Sequence, residues 1–86
     1  MKKLEKTLKA FANITRLKIL KYLKAHKTAS VSEIATATKS SYKATSKHLA
    51  ILYQNNIVDR EQAGYEMLYN IQHQSDEEIA GILKLL

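Results

Sequence analysis

Between Glu33 and Leu49 the chain reads EIATATKSSYKATSKHL, and no other stretch narrows the possible folds as far. It fits two short helices joined by a tight turn. The second of them carries Lys43, Ser46 and Lys47 on its polar positions. A pair of helices so joined is a helix-turn-helix, a unit whose second helix lies in the major groove of DNA.

The flanks supply a scaffold for this unit. Leu4, Leu8 and Phe11 recur at helical spacing and predict a first helix over about residues 2–12. Asn13 interrupts it and can cap a second helix over about 14–25, whose stripe is Leu17, Leu20, Tyr22 and Leu23 with Ile19 flanking. Ser30-x-x-Glu33 is a capping box that starts a third helix at Val31; Ile34 and Ala35 face inward, and the helix ends near Thr38. Ser41 is the expected N-cap of a fourth, which runs through Leu49 and Leu52 to about Asn55, and Asn55 and Asn56 suit a helix end. The helix-turn-helix thus occupies about residues 31–55.

The period then changes. Ile57 to Arg60 reads as a short strand, Glu61 to Glu66 as a turn around Gly64, and Met67 to Ile71 as a second strand with Met67, Tyr69 and Ile71 on one face. Ser75-x-x-Glu78 is a second capping box, with Asp76, Glu77 and Glu78 in the first turn of a last helix, where the dipole favours acids. Its stripe is Ile79, Ile82, Leu83 and Leu86. The order is α-α-α-α-β-β-α, mainly helical with one small β-hairpin over about residues 57–71. A hairpin directly after a helix-turn-helix is a winged helix.

At 86 residues the chain is one domain, 1–86, with 45% apolar content, enough for a globular fold. A core of this size is marginal alone, so oligomerisation is an expected source of further burial. There is no Cys, hence no disulfide, thiolate metal site or cysteine nucleophile. No apolar run approaches a membrane span, and the charged, amphipathic MKKLEKTLKAF is no secretory signal, so an intracellular protein is expected. The net charge of +6 is unevenly spread: residues 1–47 hold twelve Lys/Arg against two acids, and residues 48–86 two against six. A basic half joined to an acidic half suits one face for a polyanion and another for something else. No Gly-rich loop, paired carboxylates or nucleophile with a base stands out, so no enzyme is expected.

Leu8 to Leu23, LKAFANITRLKILKYL, and Ser32 to Ile71 resemble the ArsR/SmtB family of bacterial and archaeal winged-helix repressors. Thr15-Arg16-Leu17 with Ile19-Leu20, Ser46-Lys47-His48-Leu49 with Leu52, and Leu68-Tyr69 carry the resemblance most specifically. It spans roughly residues 4–72. Four positions depart from the family pattern: Lys39 stands at the turn position usually held by Gly, and Thr38, Ser40 and Thr45 replace apolar residues. Either those hydroxyls bond back to backbone or this corner packs loosely.

The resemblance implies that the fourth helix enters the major groove and that the hairpin tip reaches the adjacent backbone or minor groove. Ser41 would hold a phosphate at the helix N-terminus. Tyr42, Lys43, Ser46 and Lys47 are the candidates for base edges or phosphates, and Arg60, Gln62 and Tyr65 those of the wing. Glu61 and Glu66 flank the same turn and oppose phosphate. Lys2, Lys3, Lys6 and Lys9 could add nonspecific attraction. The family buries its first and last helices against their symmetry mates, which points to a homodimer through Leu4, Leu8, Phe11, Ile79, Ile82, Leu83 and Leu86, on helices at about 2–12 and 76–86. A two-fold dimer reads an inverted repeat of double-stranded DNA.

Many relatives sense metals. Here Ala35 and Ala37 stand where one sensor site has cysteines, the last helix has no His, and His26, His48 and His73 are scattered, so neither a metal nor another cofactor is expected. The expectation is a homodimeric repressor in the cytoplasm, associated with the nucleoid, with no membrane partner, and either constitutive or controlled by a small-molecule or protein effector that the sequence does not name. The alternatives are a winged helix used for protein–protein contact, docking through the acidic half, and an architectural DNA binder indifferent to sequence.

Overall fold

Helix ends and turns in this chain are set by local chemistry that can be followed bond by bond. The computed structural model describes residues 2–74 and 76–86. In chain order it forms α1 (Lys2–Phe11), α2 (Ile14–His26), β1 (Thr28–Ser30), α3 (Val31–Thr38), α4 (Tyr42–Gln54), β2 (Val58–Ala63), β3 (Glu66–Ile71) and α5 (Glu77–Lys84). Asn13 caps α2 by accepting from the Arg16 N–H at 3.1 Å. Ser30 and Glu33 form the expected capping box on α3, each side chain accepting from the other's N–H, at 3.2 and 2.9 Å. Ser41 accepts from the Ala44 N–H at 3.0 Å and starts α4.

Two left-handed residues stop α3 and α4. Lys39 has φ 55° and ψ 41°; its N–H donates to the Thr36 carbonyl, and that of Ser40 to Ala35. Asn56, at φ 59°, donates to Tyr53, and Ile57 donates to Leu52 while its own side chain is buried. Both are Schellman-type endings, which satisfy the last helical carbonyls and turn the chain sharply. Lys39 therefore adopts the geometry that Gly adopts freely.

The core is a single cluster. Ala10 and Phe11 of α1, Ile19, Leu20 and Leu23 of α2, Val31 and Ile34 of α3, Leu49 and Leu52 of α4, and Ile79 and Leu83 of α5 meet Ala29, Val58 and Tyr69 of the sheet. Ile19, expected at the margin of the α2 stripe, is fully buried, while Leu17 and Tyr22 are partly so.

Four expectations need correcting. A third strand, β1, precedes α3: it pairs antiparallel with β3, Thr28 opposite Asn70 and Ser30 opposite Leu68, giving the order β1-β3-β2. Three residues are too few to show a period of two, and the pairing that makes them a strand is remote in sequence. The hairpin is also longer than expected. Its ladder continues from Val58↔Ile71 to Ala63↔Glu66, leaving Gly64-Tyr65 as the whole turn, with Gly64 at φ 64°. Glu61, Gln62 and Ala63 are exposed, so no apolar alternation marks them, yet backbone pairing carries on regardless of side chain. The first strand begins at Val58 instead of Ile57, since Ile57 still closes the end of α4. Lastly, Asp76 precedes α5 as its N-cap, accepting from the Glu78 and Ile79 N–H groups at 3.0 and 3.2 Å, where it was expected inside the first turn. The Ser75 half of the expected capping box lies outside the described residues.

Candidate nucleic-acid interface

α4 has two faces of opposite character. Thr45, Leu49 and Leu52 point into the core, and Tyr42, Lys43 and Lys47 are exposed, with Ser46 partly so. Burial of one stripe fixes the roll of the helix about its axis, so the polar residues are presented outward together. Ser41 keeps its hydroxyl proton free, because its oxygen serves the cap as acceptor. The expected recognition residues therefore share one exposed surface at the N-terminal half of α4.

Thr38, Ser40 and Thr45 make this corner more polar than a helix-turn-helix core needs. Thr38 donates to the Ile34 carbonyl at 2.8 Å and Ser40 to that of Thr38 at 3.4 Å. Thr45 is 0% exposed and its Oγ1 has no partner among the described residues. Two hydroxyls thus bond back to backbone, and the third is an uncompensated buried polar group.

The wing divides into a tip and a base. At the tip Tyr65 is 106% exposed, and it lines a small cleft of about 60 Å³ with Ser30, Val31, Tyr42, Glu66 and Met67. Tyr42 of the helix and Tyr65 of the wing, far apart in sequence, thereby border the same cleft. Gln62 braces the turn, its Nε2 donating to the Gly64 carbonyl at 2.8 Å. Arg60 sits at the base. Its guanidinium lies 4.0 Å from the centroid of the Tyr53 ring of α4, and contact with the Tyr69 side chain, then Tyr53, holds its pKa above the ordinary arginine value. This stack joins the wing to α4. Tyr53 was not among the residues read as functional; an aromatic near a helix end gives no sign of which cation it meets.

A second group escaped the sequence reading. Arg16, in the first turn of α2, donates from Nε to the Ala10 carbonyl at 2.7 Å and from Nη2 to that of Lys9 at 3.1 Å. Its Nη1 lies 3.2 Å from Nδ1 of His48 on α4. Burial first, then the charges of Arg16 and Lys47, hold the His48 imidazole pKa below its ordinary value. The Thr15-Arg16-Leu17 motif was visible in the sequence, but its carbonyl partners were not.

The apolar residues expected at a dimer contact fall into two sets. Phe11, Ile79 and Leu83 are buried in the core of this chain itself. Leu4, Ile82 and Leu86 are partly exposed, Leu8 is 49% exposed, and neighbouring Leu85 is 85% exposed. α5 is held to the rest of its own chain, since Lys24 donates to the Leu83 carbonyl at 3.1 Å and Lys3 pairs with Asp76 at 3.6 Å.

Among the described residues, no three His, Cys, Asp or Glu come together to hold a metal ion. His26 stacks on Tyr22 with ring centroids 4.1 Å apart, and His73 is exposed. Among the described residues no helix is long and apolar enough to cross a membrane.

Residues 13–60 match the family model described as bacterial regulatory protein, arsR family. Among solved structures, the chain is similar to the homodimeric winged helix-turn-helix DNA-binding domain of Mb0332 from Mycobacterium bovis, described as a possible ArsR-family transcriptional regulator. The identity is 31% over 98% of this chain and 74% of that one, with a TM-score of 0.83. HlyU from Vibrio cholerae is 31% identical over 98% of this chain and 84% of that one, TM-score 0.82. PagR, a transcriptional repressor of Bacillus anthracis, is 30% identical over 98% and 92%, TM-score 0.80. No curated protein sequence matches the chain.

Proposed function

This chain belongs to the arsR family of bacterial regulatory proteins, and from that premise we propose that it is a homodimeric repressor occupying an inverted-repeat operator in double-stranded DNA. It is a winged helix-turn-helix DNA-binding domain of a transcriptional regulator. The observation that carries the finer reading is the two-sided α4: Thr45, Leu49 and Leu52 hold its back, while Tyr42, Lys43 and Lys47 stand exposed on the other side. Ser41 and Lys43 would meet phosphates at the helix start, and Ser46 and Lys47 base edges or phosphates further along. Tyr65 extends the contact from the wing tip, with Arg60 and Gln62 behind it. The DNA-binding domain of Mb0332 is a homodimer; two copies of α4 related by a two-fold axis would meet half-sites about one helical turn apart, or a multiple of it.

Repression follows from occupancy of a promoter, in the cytoplasm where the chromosome lies. Ala35 and Ala37 stand where the family resemblance places the cysteines of one sensor site, so on this reading the repressor is either constitutive or controlled by a ligand or partner other than a metal at that site. The test is selection of bound duplexes from a random library, followed by sequencing. An enriched inverted repeat is the expected result. Binding without a motif would replace this reading by an architectural one, and no retained DNA by protein docking.

A further inference from the structure

Three helices meet at one guanidinium. Arg16 of α2 closes the C-terminal end of α1 through the Lys9 and Ala10 carbonyls and reaches His48 of α4 with its third contact. The α1 carbonyls lie in its last turn, where internal N–H donors run out; the Lys9 carbonyl also accepts from the Ala12 N–H at 3.2 Å, and the guanidinium bonds complete the cap of α1. Beside them a groove of about 350 Å³ runs between α1 and the second half of α4, lined by Lys6, Lys9, Arg16, Ile51 and Gln54. The guanidinium thus bridges the two helices at a place where side chains leave a gap.

Chemistry fixes the state of the ring. Arginine only donates, so the Nδ1 of His48 must offer its lone pair, and the imidazole is neutral with its proton on Nε2. Protonation would fill that lone pair and set two cations face to face at the 3.2 Å now spanned by the bond. We propose that Arg16 and His48 are positioning residues for DNA recognition: the guanidinium ties the pose of α4 to the end of α1, and protonation of His48 releases the tie. The proposal rests on α4 being the DNA-reading helix.

The charges facing the ring set the sign. From α2 it meets Arg16, and from its own helix Lys47. α1 brings Lys6 and Lys9 to the same groove, and Lys9 is paired with Glu5 at 3.1 Å. The two charges acting on the imidazole are therefore both positive, and with burial they keep it neutral until the pH falls below the ordinary 6.5 of histidine. A new cation beside Lys47 should strengthen attraction to phosphates if charge alone mattered. Release of the tie predicts the reverse, so the direction of the pH effect discriminates.

The test has two arms on the full chain. In the first, without DNA, nitrogen-15 spectra should show His48 neutral with its proton on Nε2 at about pH 7.5. As the solution is acidified, the amides of Phe11 and Ala12 at the end of α1 should shift with the same midpoint as the ring. An α1 end that ignores the His48 midpoint overturns the tie. The second arm measures anisotropy on a duplex enriched from the random library, at about pH 7.5 and about pH 5.5. Wild-type affinity should fall about tenfold, while His48→Asn, whose Oδ1 accepts from Arg16 and does not titrate, should stay within about twofold. Tighter wild-type binding in acid, or an equal loss in His48→Asn, overturns the proposal. If selection enriches no duplex, the DNA reading fails, and the spectra still decide the tie.

Discussion

The least satisfied atom in the helix-turn-helix is Thr45 Oγ1, fully buried with no partner among the described residues. Valine has the same shape without the hydroxyl, so Thr45→Val removes a desolvation cost and leaves no cavity. It should stabilise the domain by about 1 kcal/mol, raising Tm by about 4–8 °C in thermal unfolding followed by circular dichroism. A Tm that stays or falls would show that the hydroxyl is partnered. Lys47 makes the opposite test, since it is exposed. Lys47→Ala should weaken binding to all duplexes and reduce the salt slope by about one, and Ser46→Ala should change the preference among sites. Identical binding profiles for both variants would take α4 out of the interface. Exposure of Lys43 and Lys47 was legible in the sequence because helical periodicity places them away from the buried stripe. The roles of Arg16 and His48 were not, because their partners are a carbonyl pair and a ring on other helices.

Elements in this chain are bounded by caps, and caps can be weighed one at a time. Lys39 is held left-handed at φ 55° by the bonds that end α3. That conformation costs a non-glycine residue roughly 1–2 kcal/mol, while glycine carries a larger unfolded-state entropy of roughly 0.5–1 kcal/mol. Lys39→Gly should therefore gain up to about 1 kcal/mol, seen as a higher urea midpoint at unchanged m-value, whereas Lys39→Ala should gain nothing. A lower midpoint for the glycine variant would mean that the turn relaxes in solution. Glu33 and Asp76 cap α3 and α5. Hydrogen bonds from the Ser30 backbone to Glu33, and from the Ile79 backbone first to Asp76, hold both carboxyls below their ordinary 4.5 and 3.8. A depressed folded pKa means that the unfolded chain binds the proton more readily. Their contribution is thus complete above those ordinary values and is lost as the pH falls through them toward the lower folded values. Urea midpoints should decline below about pH 4.5, and less steeply in Glu33→Gln, which keeps a capping amide that does not titrate. Equal slopes would assign the acid sensitivity to other groups.

At the scale of the whole molecule, the choice of dimer variant is decided by what each leucine already touches. Phe11, Ile79 and Leu83 lie in the subunit's own core, so changing them tests folding more than association. Leu8 is 49% exposed on α1. Leu8→Glu should leave the circular dichroism spectrum native and give a monomer by light scattering. Its affinity for an inverted-repeat duplex should fall well over tenfold, because one half-site is left to hold the complex. A dimer that survives the change would move the interface off α1. His48 adds a second pH window: its depressed pKa leaves the fold stability complete above 6.5 and lessens it as the pH drops below.

Helix positions, the N-caps of α2, α3 and α4, the exposed face of α4 and the presence of a hairpin were all determined by the sequence, because each depends on neighbours within about one helical turn or on a two-residue alternation. The match to the family model over residues 13–60 reads the same local pattern. Only the tertiary structure decided that Thr28–Ser30 is a strand, that the hairpin ladder continues to Ala63, that Arg60 stacks on Tyr53, and that Arg16 joins α1 to α4. Each of these is a contact between residues remote in sequence, made through backbone groups or long polar side chains. Such groups carry no periodic signal, so their partners exist only once the core has brought the elements together.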